Sequence, residues 1–177
     1  MAQQFIFPYP SPVGTLTLAG TEDAITGLWF RNQKYFGSTL NTQAVEKQTP
    51  ALRLAAQWLD SYFHGENPAP ELPLAPSGSP FRQAVWEILC RIPYGSLTTY
   101  GTIARQLAQQ TGKAVSAQAV GGAVGHNPIS ILIPCHRVVG AAGSLTGYAA
   151  GIDTKIQLLR LEGVSMEHLF RPDGVPL

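Results

Sequence analysis

Between Asn67 and Pro80 the chain carries five prolines, with glycine and serine among them. Proline has no backbone N–H and a fixed φ, so neither a helix interior nor a central strand can run through such a stretch. The segment is predicted to be an extended, semi-rigid linker. It divides the chain into a unit over residues 1–76, with the linker starting near 67, and a unit over residues 77–177. A chain of 177 residues is long enough for two small cores.

The first unit reads as a small α/β domain. Phe5–Phe7, Thr15–Ala19 and Ile25–Phe30 are rich in β-branched and aromatic residues and are separated by Pro-Ser-Pro-Val-Gly and Gly-Thr-Glu-Asp. That pattern predicts an antiparallel meander. Ala51 to His64 reads as a helix, with Leu52, Ala55, Leu59 and Phe63 or Tyr62 on one stripe and Gly65 beyond it. Nothing in this half resembles a site. Trp29, Tyr35 and Trp58 are assigned to the core or to a domain contact.

The second unit is mainly helical. Ser79 and Pro80 supply an N-cap and a first helical position for a helix carrying Phe81, Val85, Ile88, Leu89 and Ile92; Cys90, within it, reads as structural. A further helix starts at Thr98 or Thr99 and closes at Gly112, and Ser116 can cap another over Ala117–Val124. Two short helices joined by a turn suggest a helix-turn-helix. The second of them is almost wholly Ala, Val and Gly, and its two adjacent glycines cost about 1 kcal/mol each relative to alanine. So slim a helix suits close approach to a nucleic-acid groove or close packing on another helix, and composition alone does not choose between them. Asp153 can cap a last helix whose final turn holds Glu162. An acid there opposes the helix dipole, which a partner for it would explain.

The chemistry is concentrated in Asn127-Pro-Ile-Ser-Ile-Leu-Ile-Pro-Cys-His-Arg-Val-Val139. Ile131–Ile133 reads as a buried strand that stops pairing at Pro134, which delivers Cys135 where the chain leaves the core. A thiol becomes reactive when a neighbouring base or cation stabilises its thiolate, and His136 and Arg137 are next in sequence. An isolated cysteine is more often a small buried hydrophobe. Neighbours on a strand also point to opposite faces, so the Cys-His adjacency decides nothing alone.

Composition narrows the remaining classes. The chain is 45% hydrophobic and 13% charged, as a globular chain is. No apolar run reaches the roughly 20 residues of a membrane span, and Met1-Ala-Gln-Gln4 lacks the basic and apolar regions of a secretory signal. Two cysteines make no disulfide framework, and His64, His126, His136 and His168 are too scattered for a metal site. A reduced, cytoplasmic protein without metal or cofactor is expected. Net charge is +1, split as −2 before residue 78 (four basic, six acidic) and +3 after it (eight basic, five acidic). That asymmetry gives weak support for an anionic partner of the second half.

Taken together, the motifs of the second half resemble the O6-alkylguanine-DNA alkyltransferases, or methylated-DNA-protein-cysteine methyltransferases. The resemblance runs from about Pro80 to Gly163. It covers the Phe81–Trp86 helix start, Thr99-Tyr100, Ala119-Val-Gly-Gly-Ala123, Asn127-Pro128, Pro134-Cys-His-Arg137, Gly147-Tyr148, and Leu158-Leu159 with Glu162-Gly163, in matching order and spacing. The first half matches only in general character. The resemblance implies an α+β protein: a small ribonuclease H-like α/β domain, then a mainly helical domain with a winged helix-turn-helix.

The resemblance also implies a reaction. Such proteins bind double-stranded DNA, flip out a guanine alkylated at O6 (with O4-alkylthymine as a second substrate), and move the alkyl group irreversibly to their own cysteine. Carried over, Cys135 is the nucleophile, His136 takes its proton through a water, and Glu162 orients the histidine. Tyr100 faces the guanine N3. Asn127, Tyr148, Ser130, Ala149 and Val138 fall in the pocket, with Ala150 at its rim. Thr99, Tyr100, Gly101, Gln118, Ala119, Gly121 and Gly122 fall on the DNA face, and Arg137 holds the loop by ion pairing. A thioether does not hydrolyse, so each molecule acts once. A monomer is expected, with clustering on DNA open.

Two departures stand out. The family carries an intercalating arginine just before Ala-Val-Gly-Gly-Ala, where this chain has Gln118, and the segment around Gln109–Ser116 is a few residues longer than the family pattern. Gln118 lends weight to a second reading, a catalytically silent module that binds alkyl lesions and recruits other repair factors. The intact Cys135-His136 pair and Glu162 weigh against it. A cysteine hydrolase, the third class, needs an oxyanion hole that a helix-turn-helix gives no reason to expect.

Overall fold

The computed structural model describes residues 2–69 and 71–177. Met1, in the expected N-terminus, and Pro70, in the expected linker, lie outside the described residues. The chain forms two units: one holds the residues up to Ser77 together with Pro128–Leu132, the other Gly78–Asn127 with Ile133–Leu177.

In the first unit β1 (Phe5–Ser11), β2 (Gly14–Gly20) and β3 (Ile25–Phe30) form the expected antiparallel meander, and the short β4 (Val45–Glu46) pairs parallel to β1, giving the order β3-β2-β1-β4. Helix α1 (Pro50–Phe63) packs on β1, β2 and β3 through Leu52, Ala55, Leu59 and Tyr62, so Tyr62 rather than Phe63 completes its stripe. The Thr49 hydroxyl caps α1, accepting from the Leu52 N–H at 3.2 Å. Gly27 is required by packing: a Cβ there would stand 2.2 Å from the Trp29 ring. Trp29 is buried as expected and Trp58 stacks on Tyr62, but Tyr35 is 38% exposed in a left-handed turn (φ 63°) and is no core residue.

The outer edge of β3 is covered twice. Ile25 exchanges backbone hydrogen bonds of 2.8 Å with Pro73 and Ala75 of the linker, and Leu28 exchanges bonds of 2.9 Å with Pro128 and Ser130. Pairing an edge in this way hides groups that would otherwise template aggregation.

The second unit contains α2 (Pro80–Cys90), α3 (Tyr100–Thr111), α4 (Ala117–Gly125) and α5 (Ile152–Leu161), with a two-residue parallel ladder between β5 (Thr98–Thr99) and β6 (Val138–Val139). Ser79 and Ser116 cap α2 and α4. Gly112, at φ 69°, ends α3 and opens the turn of the helix-turn-helix. The buried Trp86 indole N–H donates to the Ala123 carbonyl at 2.9 Å, satisfying one of the last carbonyls of α4. Cys90 is exposed at the end of α2 and not a packed core residue. Asp153 lies inside the first turn of α5 and is not its cap; the cap position is Gly151.

The strand expected at Ile131–Ile133 does not form. These residues are buried but lie in a turn, with Ile131 at φ 70°. Local bonds consume the carbonyls a ladder would use: Ser130 C=O accepts from the Leu132 N–H, and Ile133 C=O from both the Cys135 N–H and the Asn127 side chain, each at 2.8 Å. The apolar run is apolar because it is buried, and hydrophobicity alone cannot tell a buried turn from a strand. No helix among the described residues is long and apolar enough to cross a membrane.

Candidate active site

Cys135, His136 and Arg137 form one turn of 3-10 helix between Pro134 and β6, and all three side chains are buried. Glu162, at the C-cap of α5, faces them. Its Oε2 receives the His136 Nε2 hydrogen bond, while Oε1 accepts from Arg137 Nε at 2.8 Å and from the Gly95 N–H at 3.0 Å. Arg137 also donates to the Ile92 carbonyl at 2.7 Å and lies 5.8 Å from the centre of the Tyr94 ring. The acid at the unfavourable end of α5 therefore has its partners in His136, Arg137 and Gly95.

The protonation states follow from burial and neighbours. Burial pushes His136 down, against the pull of Glu162, so at neutral pH it is a neutral imidazole. Burial alone would raise Glu162, but the hydrogen bonds of His136, Arg137 and Gly95 outweigh it and hold the carboxyl at about 2. With His136 neutral, the cation opposite Glu162 is Arg137. Nε2 then carries the imidazole proton to the carboxylate, which leaves Nδ1 as the basic nitrogen; this tautomer is assigned from the network.

The Cys135 thiol is pushed up by burial and pulled back by hydrogen bonds from Asn127 and Tyr148 and by the charge of Lys155. Asn127 Nδ2 also holds the Ile133 carbonyl at 2.8 Å, pinning both ends of the turn that precedes the cysteine. Tyr100 starts α3, and its hydroxyl donates to the Thr146 carbonyl at 3.0 Å. Burial and the nearby Cys135 raise its phenol to about 12, so it keeps its proton. Gly147 lies against it: φ is 79°, and a Cβ would reach within 3.0 Å of the Tyr100 oxygen.

The structure thus brings together Cys135, His136, Arg137, Glu162, Asn127, Tyr100 and Tyr148. Val138 is fully buried in β6 and presents its carbonyl to Lys155. Ala149 and Ala150 are half-buried in the bend after Tyr148. Ser130 is buried, and its hydroxyl donates to Gln33 Oε1 at 3.2 Å. On the helices, Thr99 caps α3 and Gly101 is in its first turn, while Gln118, Ala119 and Gly122 are exposed on α4 and Gly121 lies close to the Tyr100 ring. His126 turns back onto α4, with Nδ1 at 2.7 Å from the Gly122 carbonyl. Among the described residues no cluster of His, Cys, Asp or Glu could hold a metal ion.

One residue of the group was not anticipated. Lys155 is wholly buried, and its Nζ donates to the carbonyls of Val138 and, at 3.2 Å, Thr146. The signal was present in the sequence. Ile152, Lys155, Ile156 and Leu159 share the i, i+3, i+4, i+7 spacing of the buried stripe of α5, which puts a lysine on an apolar face.

Two family models match the chain: the 6-O-methylguanine DNA methyltransferase ribonuclease-like domain over residues 8–76 and the DNA binding domain of the same family over residues 80–164. A methylated-DNA-protein-cysteine methyltransferase of Methanosarcina barkeri is 40% identical over 166 residues, covering 86% of this chain and 92% of its own length. That of Mycolicibacterium paratuberculosis is 44% identical over 152 residues, covering 86% and 88%. The crystal structure of Mycobacterium tuberculosis OGT in complex with DNA is similar at a TM-score of 0.76 and 42% identity, covering 91% of this chain and 92% of that one.

Proposed function

Since the chain belongs to the 6-O-methylguanine DNA methyltransferase family, and so repairs DNA by alkyl transfer as a methylated-DNA-protein-cysteine methyltransferase, we propose that it flips O6-alkylguanine out of duplex DNA and takes the alkyl group irreversibly on Cys135. The observation that carries this reading is the buried Cys135, His136, Glu162 and Arg137 cluster, a nucleophile beside a neutral base whose far nitrogen is held by an ionised carboxylate.

The Cys135 proton passes through a water to His136 Nδ1, and the imidazolium that forms is stabilised by Glu162. The thiolate attacks the alkyl carbon, a carbon–sulfur bond forms, and the carbon–O6 bond breaks with its electron pair going to guanine. The Tyr100 hydroxyl, held protonated, turns its proton from the Thr146 carbonyl to N3 as that charge develops. Tyr148 and the loop around it line the pocket. The exposed small residues Ala119 and Gly122 allow α4 to lie against the duplex, and Gln118 fills part of the gap left by the flipped base. A neutral thioether has no leaving path in this site, so turnover stops at one. O4-alkylthymine is a second substrate, and a monomer is the acting species.

The test is intact and peptide mass spectrometry after mixing the protein with a duplex carrying O6-methylguanine. One added methyl on the peptide containing Cys135, with no further turnover, is expected. A shift of the lesion duplex without any adduct would instead favour the silent lesion-binding reading to which Gln118 lends weight.

A further inference from the structure

Lys155 has a charge to bury and no carboxylate to bury it with. It is 0% exposed. Its two hydrogen-bond acceptors are the backbone carbonyls of Val138 and Thr146. Among the described residues no acid lies within ion-pair reach of it. Glu162 is engaged by His136, Arg137 and Gly95, and Asp153, two residues away on α5, pairs with Arg171 at 2.6 Å. The titratable groups around it are Cys135 and His136 from the 3-10 turn and Tyr100 from α3, whose hydroxyl shares the Thr146 carbonyl with Lys155. Of these, the group that can supply a negative charge at working pH is the cysteine.

We propose that Lys155 is the counter-ion of the Cys135 thiolate, a positioning residue whose ammonium, fixed between the Val138 and Thr146 carbonyls, makes ionisation of this buried thiol possible. The proposal rests on Cys135 being the nucleophile. It explains how a buried thiol, which burial alone would keep protonated, reaches the thiolate. Burial lowers Lys155 to about 8, so it still carries its charge at neutral pH, and that charge pulls the Cys135 thiol down.

A consequence follows for the product. Alkylation converts the sulfur into a neutral thioether, and the anion opposite Lys155 disappears. The ammonium must then stay buried without a counter-charge or release its proton to solvent. Either outcome makes the alkylated protein less stable than the unmodified one, by chemistry at one nitrogen rather than by the bulk of the alkyl group.

The test is the rate of Cys135 alkylation by iodoacetamide against pH, with Cys90 replaced by serine, in the otherwise native protein and in Lys155→Met and Lys155→Arg. Loss of the counter-ion raises the thiol pKa, and each unit of that rise slows alkylation at neutral pH about tenfold. Lys155→Met is expected to move the profile to higher pH while its Tm holds or rises, since a buried charge is gone; Lys155→Arg is expected to keep the native profile. A merely structural lysine would lower Tm on replacement and leave the profile where it was, and that result overturns the proposal. Should Lys155→Met not fold, the NMR titration of the Lys155 side chain before and after alkylation decides: a midpoint that falls on alkylation supports the pairing, and an unchanged one removes it. Iodoacetamide needs no DNA, so failure of methyl transfer from O6-methylguanine would sink the repair reading without touching this result.

Discussion

Tyr100 shows what a single side chain is asked to do. Its hydroxyl holds the Thr146 carbonyl at 3.0 Å and keeps its proton to about pH 12. Tyr100→Phe removes the proton donor and its bond to the Thr146 carbonyl, which Lys155 still satisfies, while the ring keeps its place beside Gly121. Transfer is expected to slow by about 10- to 100-fold, the lower part of the range for a positioned acid. Affinity for lesion duplex should change little, as single-turnover rates measured beside a binding isotherm would show; equal losses in both would make Tyr100 a binding residue. At this scale most of the candidate site was legible. Cys135, His136, Glu162, Tyr100 and Asn127 stand in motifs, and the structure gathers them in one place. Lys155 was not read, because a lone lysine is by default a surface residue and only its place on the apolar stripe of α5 argued otherwise.

The helices were legible because their ends are written in local chemistry. Thr49, Ser79, Thr99 and Ser116 each accept from a backbone N–H three residues on, and Gly112 turns left-handed where α3 stops. The segment 131–133 was not, since its fold depends on Asn127 reaching Ile133 across six residues, and no periodicity reports such a bond. The element with a consequence for function is α4, whose outward face is Ala117, Gln118, Ala119 and Gly122, small except at Gln118 and without charge. Gln118→Arg should tighten binding to lesion duplex. If the new guanidinium meets a phosphate, the slope of log affinity against log salt should steepen by about 0.9. If it fills the gap of the flipped base instead, affinity and transfer rate should rise with the slope unchanged. No change in any of the three would mean that Gln118 does not face the duplex, and the reading of α4 as the helix that lies against it would fall too.

Across the whole molecule, the buried groups make stability depend on pH in a direction that can be worked out. Glu162 is held at about 2 against an ordinary value of 4.5, so the unfolded chain takes up its proton first as pH falls. The contribution is complete above about pH 4.5 and is lost between there and pH 2; a shift of that size corresponds to roughly 3 kcal/mol. His136 is depressed below 6.5, so acid also favours the unfolded chain through this group, beginning near pH 6.5. Lys155, near 8 against 10.5, works the same way in the alkaline range: its cost is complete below pH 8 and fades toward 10.5. Stability should therefore rise steadily from pH 2 to neutrality and show no optimum near the sequence pI of about 7.8. Urea midpoints from pH 2.5 to 8 would trace this. Glu162→Gln sharpens the test. It leaves Arg137 buried without its anion and should cost about 3–5 kcal/mol at pH 7, yet the variant has no carboxyl to protonate, so the difference from the native protein should shrink as pH falls from 4.5 toward 2.5. A gap that stays constant over that interval would mean the acid limb of the curve comes from groups other than Glu162, and that the cluster is not the stable ionised network on which the proposed proton path depends.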